Sequence, residues 1–314
     1  MAFSEIPKIE TYDTYINTAF KRAQKVQEND TRKKQQAKLR IIKEYLTDAL
    51  LKIVKKFPDL NNLDEFYMEL IKSLLEYSDI KKSLGAMMWA LKKINFFYGE
   101  YDRKIRHTRD HEEMLRNEFR MQFYGRVKSV MKQIKTALQI LEEARKAMSG
   151  FPSIKTSMKT GCIAGFPNAG KTTLLYKLTG SMPDIKPYAF TTQGLNVAYY
   201  KEIQLIDTPG TLNRPNKTNK IEFIAYTAMK HLAEFFIYVF DPTEEYPIED
   251  QIELYKKIKK YGRKILAYTS KTDISTNNKE LLEKFKPRTI EELKKELEKI
   301  SIEDENKQQQ TTEF

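Results

Sequence analysis

Gly165-Phe166-Pro167-Asn168-Ala169-Gly170-Lys171-Thr172, with Thr173 directly behind it, is the stretch on which the fold turns. It matches Gly-x-x-x-x-Gly-Lys-[Ser/Thr], a loop that wraps its backbone around phosphate oxygens. The two glycines let the chain turn tightly enough for successive N–H groups to converge on an oxyanion. A helix starting at the loop adds the positive end of its dipole. Lys171 brings a point charge to the β and γ oxygens, and the Thr172 hydroxyl is placed to ligand Mg²⁺. The flanks agree, since Thr160 to Ala164 reads as a short buried strand and Thr173 to Thr179 as a helix. Gly165 through Thr173 is thus the predicted site of a nucleoside triphosphate.

Two later segments complete such a site. A strand ends in Asp207-Thr208-Pro209-Gly210, where Asp207 can hold Mg²⁺ through water and the Gly210 N–H can approach the γ-phosphate. Between loop and strand, Pro187 to Thr192 offers a hydroxyl. Thr192 would reach the metal only while the γ-phosphate is present, which makes this loop an order–disorder switch. The predicted metal ligands are therefore Thr172, Thr192 and Asp207. Thr269-Ser270-Lys271-Thr272-Asp273 follows another strand. Asp273 can accept from guanine N1–H and the exocyclic N2–H, a pair that adenine does not offer. Lys271 fits a guanine reader, but Ser270 stands where GTPases usually carry Asn. The implied ligands are GTP or GDP with Mg²⁺.

At 314 residues the chain is expected to form two domains. A single cysteine excludes a disulfide framework and suits a reducing compartment. No N-terminal signal pattern is present, and the longest apolar run, Phe235 to Phe240, is far short of a membrane span. A cytoplasmic protein with no membrane partner follows. Residues 1–155 read as a basic all-helical bundle, with apolar stripes at helical spacing ended by Gly150 and Pro152. From 156 to 300 strands alternate with helices, which predicts an α/β domain with a mostly parallel sheet covered on both faces. Residues 301–314, ending Gln-Gln-Gln-Thr-Thr-Glu-Phe, read as a disordered tail. Cys162, in the strand before the loop, is expected to be a buried structural residue. His107 and His111 share a helix face, but two imidazoles fall short of a zinc site.

The net charge of +12 is unevenly spread. Basic residues outnumber acidic ones by 11 over residues 1–160 and by one over the remainder. The density peaks between Arg103 and Lys135, where Arg103, Lys104, Arg106, Arg109, Arg116, Arg120, Arg126, Lys128, Lys132 and Lys135 are candidate contacts to RNA phosphates. No DNA contact is expected, and the chain is expected to be a monomer.

The chain resembles the Nog-type GTP-binding proteins of the Obg superfamily, in a short, archaeal-like form. The resemblance rests on the Gly165–Thr173 loop, on Pro187-Tyr-Ala-Phe-Thr-Thr192 with Gly194-Leu-Asn-Val, on Asp207-Thr-Pro-Gly-Thr-Leu-Asn-Arg-Pro215 and on Phe240-Asp-Pro-Thr-Glu244. It implies a P-loop GTPase domain preceded by an all-α domain. It also implies a GTPase acting as a large-ribosomal-subunit assembly factor, bound to rRNA and ribosomal proteins. Ser270 and the lack of a recognisable Ser-Ala element after Asp273 depart from the pattern. A scaffold that binds rRNA around a degenerate, non-cycling nucleotide site is the alternative reading. Thr211 replaces the Gln that orients water in Ras-like enzymes, so slow intrinsic hydrolysis is expected. Asn168, whose counterparts in several GTPases help hold K⁺ near the phosphates, is the candidate for K⁺ use. The predicted catalytic residues are thus Lys171, Thr192, Gly210 and Asn168.

Overall fold

The computed structural model describes residues 3–109, 111–180, 184–187, 194–208, 220–243, 245–272 and 283–312. It divides into two compact units, one of Ala2–Leu63 with Ile71–Gly150, the other including Asp64–Leu70 and Phe151–Phe314.

The first unit is helical. Helix α1 spans Tyr12–Gln24, α2 Thr31–Lys56, α3 Glu65–Leu74, α4 Tyr77–Arg106, α5 Glu113–Gln133 and α6 Lys135–Met148. Asp30 starts α2 by accepting from the Arg32 and Lys33 N–H groups at 2.8 and 3.0 Å. Phe57 ends it in extended conformation, as the residue before a proline must. Leu39, Ile42, Leu46 and Leu50 of α2 are fully buried, as are Met87, Ala90 and Ile94 of α4, Phe123 and Val127 of α5 and Leu141 of α6. Their spacing of three and four residues is the periodicity expected from the sequence.

Helix α4 continues unbroken through Gly99, and α5 and α6 meet at a kink at Ile134. Arg116 is not a surface cation. It is 2% exposed, donating from Nη1 to the Arg109 carbonyl at 2.7 Å and from Nη2 to Thr31 Oγ1 at 3.0 Å. The planar guanidinium reaches a turn carbonyl and a helix-start hydroxyl at once, which ties the α4–α5 turn to the start of α2. Arg120 is half-buried and donates to Gln35 Oε1 at 3.1 Å, whereas Arg103, Arg109, Arg126, Lys128, Lys132 and Lys135 are exposed.

The second unit holds one sheet of six strands in the order β2-β3-β4-β1-β5-β6. The strands are β1 Lys159–Ala164, β2 Asp184–Pro187, β3 Gly194–Tyr200, β4 Ile203–Asp207, β5 Ala233–Phe240 and β6 Lys264–Thr269. β1, β4, β5 and β6 are parallel, while β2 and β3 are antiparallel additions at one edge. The helices are α7 Lys171–Thr179, α8 Lys220–His231, α9 Ile248–Lys259 and α10 Ile290–Thr312. β5 is apolar on both faces. Phe235, Ile237 and Val239 join one core with Leu174, Leu175 and Leu178 of α7 and Leu293, Leu297 and Ile300 of α10. On the other face Tyr238 donates to the Gln251 carbonyl of α9 at 2.6 Å and Phe240 stacks on Tyr255. Gly161 is required in β1, because a Cβ there would lie 2.3 Å from the Phe235 ring. Cys162 is buried, which pushes its thiol up to about 12.

Two features bear on the limits of the units. Asp64–Leu70 of α3, read as part of the helical domain, lies in the sheet-bearing unit, where Tyr67 Oη donates to the Pro152 carbonyl at 2.9 Å. His231 of α8 meets both Glu65 and Glu69, and Lys230 pairs with Glu69 at 2.7 Å. The residues after 300, read as disordered, continue α10 as far as Thr312. Glu, Lys and Gln are good helix formers, so a polar run can extend a helix already anchored by Leu293, Leu297 and Ile300.

Glu296 fixes α10 to β6. Hydrogen bonds from Lys264 at 2.9 Å and Lys299 at 3.2 Å pull its carboxyl down to about 2. A depressed folded-state pKa stabilises above the ordinary carboxylate range and is lost as pH falls toward that value. Glu296→Ala is therefore expected to lower stability at pH 7 by no more than about 1 kcal/mol at this partly exposed site, read as a fall in melting temperature. The difference should vanish near pH 2 and shrink in high salt.

Candidate functional site

β1 delivers the chain to the loop. Gly165 has a φ of 155°, and a Cβ there would come 2.6 Å from the Val239 carbonyl oxygen of β5. Only glycine lets the loop leave the sheet so close to its neighbour. Asn168 and Gly170 adopt left-handed conformations at φ 59° and 83°. Gly170 then caps α7 without any side-chain acceptor, so the first-turn N–H groups have no side chain bonded to them. That is the anion-binding end of a helix. Phe166 is buried against Tyr246, with ring centroids 4.8 Å apart.

Lys171 is 7% exposed and reaches back across the loop to the Phe166 carbonyl at 2.7 Å. Burial lowers its pKa, against the attraction of Asp207. Thr172 donates from Oγ1 to Asp207 Oδ2, to which Asn196 Nδ2 also donates at 3.1 Å. Asp207 Oδ1 is buried and has no hydrogen-bond partner among the described residues. Burial raises the Asp207 pKa, and Thr172, Asn196 and Lys171 offset only part of the effect. A buried carboxylate oxygen without a proton donor, beside a threonine hydroxyl at the mouth of the loop, fits the oxygen ligands that Mg²⁺ requires. Thr208 holds this strand end in place, its N–H and hydroxyl both donating to the Ile163 carbonyl, at 3.1 and 2.8 Å.

Across the loop lies a second cluster. Lys271, at φ 51°, puts its ammonium 2.6 Å from Asp241 Oδ2 and 3.7 Å from Glu245 Oε2. Burial alone would raise the Asp241 carboxyl, yet Lys271 and Thr243 hold it below its ordinary value. Asn168 Nδ2 donates to Glu245 Oε1 at 2.7 Å, so Glu245 ties the phosphate loop toward Lys271. Ser270 is buried beside Gly170 and donates from Oγ to the Phe240 carbonyl at 3.2 Å.

Thus Gly165 to Lys171, Thr172 and Asp207 come together around one loop, with Lys271 joined through Glu245. Thr173 lies exposed in the first turn of α7. Thr192, Gly210, Thr211 and Asp273 lie outside the described residues. Asn196 and Asp241, present in the sequence reading only inside the motifs of the resemblance, and Glu245 receive no site role from the sequence. The signal for Asn196 is its register opposite Asp207 on neighbouring antiparallel strands. Among the described residues no group of three or more His, Cys, Asp or Glu side chains could hold a metal. No helix among them is long and apolar enough to cross a membrane.

Comparison with known proteins agrees with this geometry. A family model described as the NOG1 N-terminal helical domain matches residues 3–155, and one described as a 50S ribosome-binding GTPase matches residues 160–279. An uncharacterized protein of Methanocaldococcus jannaschii is 38% identical over 271 residues, covering 82% of this chain and 76% of that protein. Nucleolar GTP-binding protein 1 of Saccharomyces cerevisiae is 32% identical over 231 residues, 71% of this chain and 35% of that protein. That of Kluyveromyces lactis is 30% identical over 254 residues, 78% of this chain and 38% of its own length. The chain therefore spans little more than a third of these nucleolar relatives. Among solved structures, the G domain of the T. maritima FeoB iron transporter is 28% identical, covering 40% of this chain and 81% of its own with a TM-score of 0.33. With a P-loop built on a mostly parallel sheet, a helical unit ahead of it and both family models matched in order, this chain belongs to the Nog-type GTPases.

Proposed function

We propose that this GTPase binds GTP with Mg²⁺, hydrolyses it slowly, and acts in assembly of the large ribosomal subunit with its helical unit against rRNA. The observation that carries the nucleotide reading is the Thr172–Asp207 pair with Asp207 Oδ1 buried and unpartnered. Thr172 and Asp207 would hold the metal, whose chemistry is to bridge and neutralise phosphate oxygens. Lys171 would exchange the Phe166 carbonyl for a phosphate oxygen, gaining a charge-assisted bond in a dry site. The loop and the α7 amides would orient the triphosphate, and a threonine at position 211 leaves the attacking water without a Gln to position it. Unassisted turnover on the order of 10⁻⁴ s⁻¹ is the expected scale. The ribosomal part of the reading is supported by the description of the matched GTPase family, the names of the nucleolar relatives and the basic surplus of the helical half.

Titration with GTP, GDP and ATP, with and without Mg²⁺, tests the site. Tight GTP binding that depends on Mg²⁺, with ATP far weaker, is expected. Ser270, bonded to Phe240, favours the scaffold reading, under which ATP would bind as well as GTP and no turnover would follow. Association is tested by sedimentation with ribosomal subunits in rising salt, where recovery with the large subunit is the expected result.

We also infer K⁺ use through Asn168. Glu245 takes the amide nitrogen, which leaves the amide oxygen as the group a cation can take. Turnover in K⁺ should exceed that in Na⁺, and Glu245→Ala should shrink the difference by freeing the amide to rotate. Equal rates in the two salts would remove the idea.

A further inference from the structure

The outer face of α4 carries six positions in one stripe, Gly85, Trp89, Lys92, Phe96, Gly99 and Arg103, each three or four residues from the next. On a helix that spacing keeps one direction. Trp89, the one tryptophan of the chain, is 37% exposed and Phe96 is 63% exposed. What informs here is their grouping on one helix face, since single exposed apolar residues are ordinary. Phe97 meets Phe96 edge to face at 5.6 Å, and the Arg126 guanidinium of α5 lies 5.9 Å above the Phe97 ring. The surface thus extends from α4 onto α5. Lys92, Lys93 and Arg103 are exposed along it, and Glu100 is already paired with Lys104 at 2.6 Å.

Glycines give a separate indication. Gly85 and Gly99 within α4, and Gly125 within α5, would carry a Cβ that meets nothing within 4 Å. Glycine weakens a helix interior relative to alanine, and no packing among the described residues calls for it here. A partner whose backbone approaches the helix closely does. At its far end the face opens into a 480 Å³ cleft lined by Arg103, Lys104, His107 and Phe119 among others.

We propose that this α4–α5 face is a stacking surface for unpaired RNA bases, with the cations taking the phosphates between them. The proposal deepens the function above, since it rests on the helical unit meeting rRNA. Protein interfaces deplete lysine at their cores, whereas single-stranded RNA is bound by aromatic platforms set among cations. The alternation of ring, cation and glycine gap matches the second pattern.

The test uses the full chain, a single-stranded RNA of about 12 nucleotides and a duplex of equal length, with Trp89 emission as the signal. Single-stranded RNA should quench Trp89, and the duplex should do so far less. Phe96→Ala should weaken single-strand affinity about tenfold without lowering the melting temperature, because the ring is exposed. Gly99→Ala should raise the melting temperature and still weaken binding, an effect that misfolding would not produce. Absence of quenching, or equal quenching by the duplex, overturns the proposal. Loss of large-subunit association in Phe96→Ala with no response to naked RNA also overturns it, in favour of a protein partner. If the parent chain sediments with large subunits yet shows no quenching, only the stacking surface fails. If it does neither, the ribosomal reading fails as well.

Discussion

Asp207→Asn is expected to weaken Mg²⁺ affinity in the GTP complex by about 10- to 100-fold, the usual consequence of removing a group that orients metal-bound water. The amide keeps an oxygen to accept from Thr172 and Asn196, so the fold around β4 should persist. What it loses is the charge at Oδ1, the buried atom with no partner. Lys171→Ala is the matching change on the phosphate side. Loss of a hydrogen bond to a charged group is worth about 1.5–3 kcal/mol, or roughly 10- to 150-fold in GTP affinity. The two variants separate by titration. Lys171→Ala should weaken GTP with or without Mg²⁺, whereas Asp207→Asn should weaken it only when Mg²⁺ is present. Acid should mimic the second variant, since burial raises the Asp207 pKa and a proton then competes with the metal at a higher pH than for an ordinary carboxylate. Undiminished Mg²⁺ dependence in Asp207→Asn would remove Asp207 from the metal site.

Arg116→Ala should unfold the helical unit more easily by about 3 kcal/mol, from two lost charge-assisted hydrogen bonds at a buried site. In a unit of this size that is roughly a 10 °C fall in melting temperature. Lys128→Glu with Lys132→Glu, both at exposed positions, should change stability by less than about 0.5 kcal/mol each. The paired measurement matters for function. A ribosome-association defect in an Arg116 variant would report folding, whereas the same defect in the Lys128 and Lys132 variant would report contact with a polyanion. Unchanged thermal stability in Arg116→Ala would refute the structural role assigned to that guanidinium.

The contrast between Arg116 and Lys128 marks the limit of what a charge run reveals. Both sit in one basic stretch, but burial depends on how α4 turns into α5, and composition carries no record of that turn. Helix α4 likewise continues through Gly99 because both flanking stretches bury apolar residues on the same face.

The phosphate loop and its anion-binding helix were determined by sequence alone, because their geometry is set by neighbouring residues: two glycines, a lysine and a threonine at fixed spacing. The parallel strands were equally legible, since a strand buried on both faces reads as a continuous apolar run, as β5 does from Phe235 to Phe240. Tertiary structure decided the rest. It set Asn196 opposite Asp207 through strand register, joined Asn168 to Lys271 through Glu245, moved part of α3 into the sheet-bearing unit and extended α10 past Ile300. Each of these depends on contacts between residues far apart in the chain, and local propensity does not encode which distant partner a polar side chain will meet.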